Sequence, residues 1–410
     1  SQPNFYGGKI PWIKSGELNS RYVTTTEEFI TESAIKNSSA KLFPAGSVAI
    51  AMYGATIGKT AILGVDASTN QACAVGAPVE GVIGKEFLYR LLQNEKEAFI
   101  EKGKGGAQPN ISQAVIKAHE ICLPPLAEQT RIVQKLDELQ AQIAPLKARI
   151  DAFPSLLKRF RQSILSAAVS GRLVGNAECW HPTSIGDVCI VSTGKTPKRD
   201  ILNYWEHGDI PWLTSTVTGK DFCSEAEQFV TEFALKDCSL KMFQPGTLLM
   251  AMYGEGKTRG QVTELKISAT CNQACAAITV NETIVRKEFV KIRLQESYEE
   301  IRKQAVGGAQ PNLNLNKVRE ISISLPSLEE QTEIVRRVEQ LFAFADQLEA
   351  KVASAKSRIE HLTQSILAKA FRGELVPQDP NDEPASVLLE RIKAQRAAAP
   401  KAKRSRKASA

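Results

Sequence analysis

The chain carries two copies of one domain-sized unit, and this repeat constrains its fold more than any other feature. Ile10-Pro11-Trp12 returns as Ile210-Pro211-Trp212, and Ala51-Met52-Tyr53-Gly54 as Ala251-Met252-Tyr253-Gly254, both at an offset of 200. Asn70-Gln71-Ala72-Cys73 returns as Asn272-Gln273-Ala274-Cys275, and the Gly-Gly-Ala-Gln-Pro-Asn of 105–110 returns at 307–312, both at an offset of 202. Glu128-Gln129-Thr130 and Gln162-Ser163-Ile164-Leu165 return at 330–332 and 364–367, again at 202. One two-residue insertion therefore lies between the tyrosine and the Asn-Gln-Ala-Cys block. Solenoid repeats run to about 20–50 residues, so this period describes duplicated domains.

Each copy has two parts. The globular parts, 1–125 and 179–327, contain apolar runs at 47–52 and 247–252 that predict buried strands, and helical stretches near 85–102 and 286–304. The second part of each copy, 126–178 and 328–376, follows a 4-3-4-3 apolar spacing. In the first it runs Ile132, Leu136, Leu139, Ile143, Leu146, Ile150, Phe153, Leu157, Phe160, Ile164. In the second it runs Ile334, Val338, Leu341, Ala345, Leu348, Val352, Ala355, Ile359, Leu362, Ile366. A strict 3.5-residue period held over 33 residues predicts a coiled-coil helix of about 50 Å. Residues 126–178 have net charge +3 and residues 328–390 net −5, which favours pairing of the two helices with each other. Short connections require the pair to be antiparallel, because the second globular part leaves one helix and enters the other. The expected fold is α+β: two α/β globular parts separated by two long helices paired as an antiparallel coiled coil, in a pseudo-two-fold repeat. Pro145 and Pro154 lie inside the first helix and predict a kink or an interruption there.

Copy two also has a head, 180–201, with no counterpart in copy one. This predicts a native polypeptide that starts at least about 20 residues before Ser1. The tail, 377–410, is expected to be partly disordered, with a short helix near 385–396.

Hydrophobic residues make up 43% of the chain and charged residues 24%, which excludes wholesale disorder. Of the net charge of +7, residues 391–410 contribute +8, so the remainder is near neutral and any basic surface on it comes from segregation. No apolar run approaches the ~18 residues a membrane span needs, so no membrane partner is expected. Eight cysteines without a Cys-x-x-Cys pair, beside four histidines, read as reduced thiols of a cytoplasmic protein. Cys271 and Cys275 read as small buried hydrophobes rather than metal ligands.

The loop Gly54-Ala55-Thr56-Ile57-Gly58-Lys59-Thr60 approximates a phosphate-binding loop but has three residues between its glycines where the motif needs four. Its duplicate places Glu255 where phosphate oxygens would sit. No dinucleotide fingerprint, amino-methyltransferase box or histidine dyad is present, so the chain reads as a recognition device. The two Gly-Gly-Ala-Gln-Pro-Asn segments offer Gln108, Asn110, Gln310 and Asn312 as base-edge readers, or else form a tight turn capping a following strand. Lys102 and Lys104 precede the first. Lys195, Thr196, Lys198 and Arg199 form a basic loop in the head. Tyr53 and Lys59 match Tyr253, Lys257 and Arg259, while Lys14 and Ser15 face Thr214 and Ser215 as divergent loop residues. Lysine and arginine at such places suit phosphate contacts.

Leu-Pro-Pro-Leu-Ala-Glu-Gln-Thr at 123–130 and Leu-Pro-Ser-Leu-Glu-Glu-Gln-Thr at 325–332 open the two long helices. Gly171-Arg172-Leu173 and Arg372-Gly373-Glu374-Leu375 close them. This layout resembles the specificity subunit of type I restriction-modification enzymes over residues 1–376. The resemblance implies two target recognition domains, each reading half of a bipartite site in double-stranded DNA. It also implies that the paired helices dock two methyltransferase (modification) subunits, which restriction (motor) subunits join. S-adenosylmethionine, ATP and Mg would then belong to those partners, with no cofactor, metal or catalytic residue on this chain. The rival expectations are a nucleotide-binding enzyme using the Gly54–Thr60 loop and a coiled-coil protein adaptor.

Overall fold

The computed structural model describes residues 2–102, 110–175, 179–254, 258–304 and 313–398. The chain divides into two compact units: residues 1–150 with 354–410, and residues 151–353. Each unit holds one globular part and half of each long helix.

In the first unit the main sheet runs in the order Tyr22–Val23, Thr60–Leu63, Val48–Ala51, Cys73–Gly76. Its central strands pair antiparallel, with Ala49 opposite Ala61 and Val75. Strand side chains alternate between faces. Val48 and Ile50 therefore pack with Tyr89, Leu92, Phe99 and Ile111, while Ala49 and Ala51 pack with Ile13, Leu18 and Leu63. Both faces are covered, which is why the sequence shows an unbroken apolar run. A smaller sheet pairs Tyr6–Ile13 antiparallel with Phe29–Ile30 and parallel with Ser68–Thr69.

The second unit repeats this plan. Its main sheet runs Phe222–Cys223, Val262–Leu265, Leu248–Ala251, Cys275–Val280, and its smaller sheet is built on Ile210–Leu213. It has one further strand. Cys189–Thr193, from the head, adds antiparallel to Cys275–Val280, and His181–Ser184 pairs with Ser322–Leu325. Trp180, Ile185, Val188 and Val191 thereby enter the core. Among the described residues, Cys73–Gly76 carries no strand on its corresponding edge.

The long helices are Leu126–Val169 and Leu328–Phe371, 44 residues each. In the first unit Ile132 and Leu136 pack with Leu367, Ala370 and Phe87. In the second, Ile164, Leu165 and Ala168 pack with Ile334 and Val338. The start of each helix thus meets the end of the other, so the pairing is antiparallel. Opposite charge contributes at Arg161, which bonds Asp346 (2.6 Å) and Glu349 (2.8 Å). Glycines with left-handed φ, Gly171 (+74°) and Gly373 (+75°), end both helices where a side chain would be strained.

Four expectations need correction. The first long helix is not interrupted at Pro145 or Pro154. Both prolines lie on exposed turns, where water can take the freed carbonyls. The coiled-coil seam is uneven, since Leu146 and Leu362 are half exposed; a single partner helix covers only one side. The stretches at 85–102 and 286–304 are each two helices, Lys85–Asn94 with Lys96–Lys102 and Lys287–Glu296 with Tyr298–Gln304. Finally, a helix rather than a strand follows each Gly-Gly-Ala-Gln-Pro-Asn segment: Gln113–Ala118, capped by Ser112, and Leu315–Arg319, capped by Asn314. Those Ser and Asn oxygens accept the orphan N–H groups of Val115 and of its counterpart Lys317. In the tail, Ala385–Ala398 is a helix whose Leu388 is buried.

Candidate functional site

In the first unit the loop residues Lys14 and Ser15 lie at a short turn closed by Glu17, whose Oε2 accepts the Lys14 N–H (2.7 Å). The Lys14 ammonium bonds Glu28, which raises its pKa. Lys59 joins this loop: its Nζ donates to Asn19 Oδ1 (2.7 Å), and Asn19 Nδ2 donates to the Gly16 carbonyl (2.6 Å). Tyr53 is exposed and forms an isolated bridge with Asn110, so these two candidates stand side by side. Lys102 is engaged elsewhere. It donates to His119 Nδ1 (2.9 Å), and His119 Nε2 meets Glu95 (2.7 Å). Lys104 and Gln108 lie outside the described residues, as do Lys257, Gln310 and Asn312 in copy two.

The Gly54–Thr60 loop makes a short turn at Gly54–Thr56 and runs into the strand Thr60–Leu63. A phosphate cradle of this kind requires a helix N-terminus after the loop. That element is missing here, which removes the structural basis of the nucleotide reading. Beside it, Trp12, Tyr53, Asn70, Gln71 and Lys117 line a cavity of about 1080 Å³.

In the second unit the basic loop is a built structure. Trp212 Nε1 donates to the Lys195 carbonyl and Trp205 Nε1 to the Lys198 carbonyl, both at 3.0 Å. Lys195 Nζ donates to the Cys238 carbonyl (3.2 Å). Arg199 lies 3.8 Å from the Trp205 ring and 4.8 Å from the Trp212 ring, and its Nη2 donates to Gln228 Oε1 (2.7 Å). Gln228 in turn lines a cavity of about 260 Å³ with Thr214 and Thr216, whose hydroxyls are 2.7 Å apart. The structure thus brings Arg199 and Thr214 together at Gln228, holds Lys195 and Lys198 by the two indoles and bonds Thr196 to Gln273, while Ser215 opens the adjoining turn. Tyr253 is exposed. Arg259 lies apart from this group, lining a cavity of about 340 Å³ that Glu300 and Glu320 also line. Arg293 and Lys317 line it as well.

Trp205, Trp212, Gln228 and Gln273 were not among the sequence candidates. Ile-Pro-Trp and Asn-Gln-Ala-Cys are repeated motifs, and that repetition was the signal for Trp212 and Gln273. Cys271 and Cys275 are buried in the sheet core; a hydrogen bond from Cys271 and burial hold the Cys275 thiol far above its ordinary range. Among the described residues no three His, Cys, Asp or Glu side chains gather as metal ligands do, and no helix is long and apolar enough to cross a membrane.

The family model of the type I restriction modification DNA specificity domain matches residues 4–152 and again 177–355. The chain is 31% identical to the StySPI specificity subunit of Salmonella potsdam, over 97% of this chain and 91% of that protein. It is 33% identical to the EcoDI specificity subunit of Escherichia coli, over 80% of each. Among solved structures, a chain from a type I R-M system superposes with a TM-score of 0.72 at 19% identity, covering 91% of this chain and 96% of that one. The HsdS subunit from Thermoanaerobacter tengcongensis superposes at 0.57 and 20% identity, covering 91% and 95%. At such identities the structures speak to the fold alone. The sequence matches span both copies, and the chain belongs to the type I restriction-modification DNA specificity family.

Proposed function

We propose that this chain is the DNA-recognising subunit of a type I restriction-modification complex and that each globular part reads one half of a bipartite target. The observation that carries this reading is the family match falling twice, once on each globular part with its share of helix. The paired helices would dock two methyltransferase subunits, which restriction subunits join. The chain itself would supply no catalytic group; S-adenosylmethionine, ATP and Mg would act on those partners. Lys198 is suited to phosphate contacts because its backbone carbonyl is held while its side chain is exposed, and Lys59 because its exposed ammonium, anchored by Asn19, keeps two further donors. Tyr53, Asn110, Thr214 and Ser215 are suited to contacts with bases or sugars. Lys14 and Arg199, already engaged by Glu28 and by the two indoles, would hold loops in place.

The test is reconstitution with methyltransferase subunits, followed by methylated-site sequencing and binding at several salt concentrations. The reading expects one asymmetric bipartite motif and a log-linear loss of affinity with salt. ATP binding by the isolated chain, or an assembly with no sequence preference, would overturn it.

A further inference from the structure

We propose that Gln273 reads a base edge in the second unit, and that Thr196 is the positioning residue that orients it; this rests on the DNA-recognition reading above. The loop that carries Thr196 has little freedom. A Cβ on Gly194 would lie 1.6 Å from the Cys271 carbonyl oxygen, so the backbone there sits directly on the neighbouring strand. Beyond it, the carbonyls of Lys195 and Lys198 are held by the indoles of Trp212 and Trp205, whose rings stand edge-to-face 5.1 Å apart. Arg199 lies over both rings and bonds Gln228, so its guanidinium serves as part of this platform.

From this fixed loop the Thr196 hydroxyl donates to Gln273 Oε1. The backbone on either side is held as well, since the Thr193 hydroxyl donates to the Cys275 carbonyl (2.9 Å) and Ala274 N–H to Asn272 Oδ1 (3.1 Å). With Oε1 accepting from the Thr196 hydroxyl, both Nε2 hydrogens are left for an outside partner. Gln273 is exposed, and its Nε2 has no protein partner among the described residues. An exposed amide fixed through its oxygen and backbone, with two donors left over, is preorganised for an acceptor. In the major groove guanine presents O6 and N7, adenine N7 and thymine O4, whereas cytosine presents only a donor. Gln273 therefore selects against cytosine at its position. The matching Gln71 of the first unit is exposed beside the large cavity.

The experiment uses the full chain assembled with methyltransferase subunits, read by methylated-site sequencing and by binding to duplexes varied one base pair at a time. Gln273→Ala is expected to relax one position of one half-site by roughly 5- to 100-fold, with the other half-site unchanged. Thr196→Val should relax the same position less, and Thr196→Ser, which keeps the hydroxyl, should restore it. Lys198→Ala serves as the contrast, weakening every sequence alike and lowering the salt slope by about one. Uniform weakening by Gln273→Ala with an unchanged motif would overturn the proposal, as would a Thr196→Ser variant that behaves like Thr196→Val. Loss of all sequence preference in the unmutated assembly would instead sink the DNA-recognition reading itself.

Discussion

Gln129 and Gln331 make the same three hydrogen bonds in the two units. Gln129 Oε1 accepts from Gly84 N–H, and its Nε2 donates to the carbonyls of Val82 and Pro124, all at 2.9 Å. Gln331 Oε1 accepts from Arg286 N–H (2.7 Å), and its Nε2 donates to the carbonyls of Ile284 (3.4 Å) and Pro326 (2.9 Å). Both side chains are buried. Each glutamine ties the opening of a long helix to the loop that starts a helix of the globular part. Thr130 and Thr332 bond back to the carbonyls of Leu126 and Leu328. The Glu-Gln-Thr signature is therefore a joint between the recognition part and the strut.

A joint whose polar groups are all satisfied is costly to break on one side. Gln331→Leu keeps the approximate volume but leaves Arg286 N–H and the Pro326 carbonyl unpaired, at a cost of about 2–4 kcal/mol. Denaturant unfolding with hydrogen exchange over 282–287 checks this. Faster exchange confined to that segment and the helix start is expected. Gln331→Leu with an unchanged midpoint would sink the idea.

The first unit adds a partly buried ionic joint, where the second has the exposed pair of Lys158 and Glu299. Arg21 and Arg90, from the globular part, both bond Asp137 on the long helix at 2.7–3.0 Å, and Arg90 is buried. Burial alone would push the Asp137 carboxyl up, but its bonds to Arg90 and Arg21 outweigh this and hold it below its ordinary value. A carboxyl depressed in the folded state stabilises above its unfolded pKa of about 3.9 and loses that contribution as pH falls through the folded value. Asp137→Asn should cost about 1–3 kcal/mol at pH 7, less than a fully buried pair because Asp137 is partly solvated. The gap between parent and variant should stay constant down to about pH 5 and narrow below about pH 4. Unfolding midpoints measured from pH 7 to 3 give the answer, and a pH-independent gap would count against the joint.

How much of this was legible in advance differs from residue to residue. Ile132, Leu136, Ile334 and Val338 announced their burial through spacing alone, because a seam repeats locally and needs no knowledge of distant chain. The strands at 48–51 and 248–251 were legible because burial on both faces leaves an unbroken apolar run. Arg199 was not: as a sequence it is one more cation in a basic loop, and only Trp205, Trp212 and Gln228, brought in by tertiary packing, show that its charge is engaged. Gln273 was hidden for the same reason, since its bonding partner lies 77 residues away. The prolines misled because the cost of a proline depends on whether its orphaned carbonyl reaches water.

That last point can be measured. Pro145 and Pro154 occupy exposed turns of a continuous helix, and the second helix has Gln347 and Lys356 at the matching positions. Pro145→Gln with Pro154→Lys restores two backbone donors without touching a buried contact. A proline in an ideal interior costs around 3 kcal/mol; with water compensating, each replacement should gain about 1–2 kcal/mol. The unfolding midpoint should rise while helical circular dichroism stays nearly constant. A lower midpoint would mean that the prolines set a bend the fold requires.

The division of labour between the globular parts is the broadest expectation. Both copies share Ile-Pro-Trp, Ala-Met-Tyr-Gly and Asn-Gln-Ala-Cys, and these residues build the two sheets or lie at their edges. The loops around them differ, with Lys14 and Ser15 facing Thr214 and Ser215. A shared scaffold with divergent loops implies two half-sites of different sequence. Replacing Gln108 and Asn110 with Ala should therefore relax one half-site by around 1–3 kcal/mol for each lost bidentate contact and leave the other intact. Replacing Gln310 and Asn312 should give the mirror result. Asn110 already bridges Tyr53, so the first variant also tests whether that tyrosine shares the same half-site. Methylated-site sequencing of the assembled variants separates the outcomes. If both lose the same half-site, or both lose all binding equally, the assignment of one half-site to each globular part is wrong.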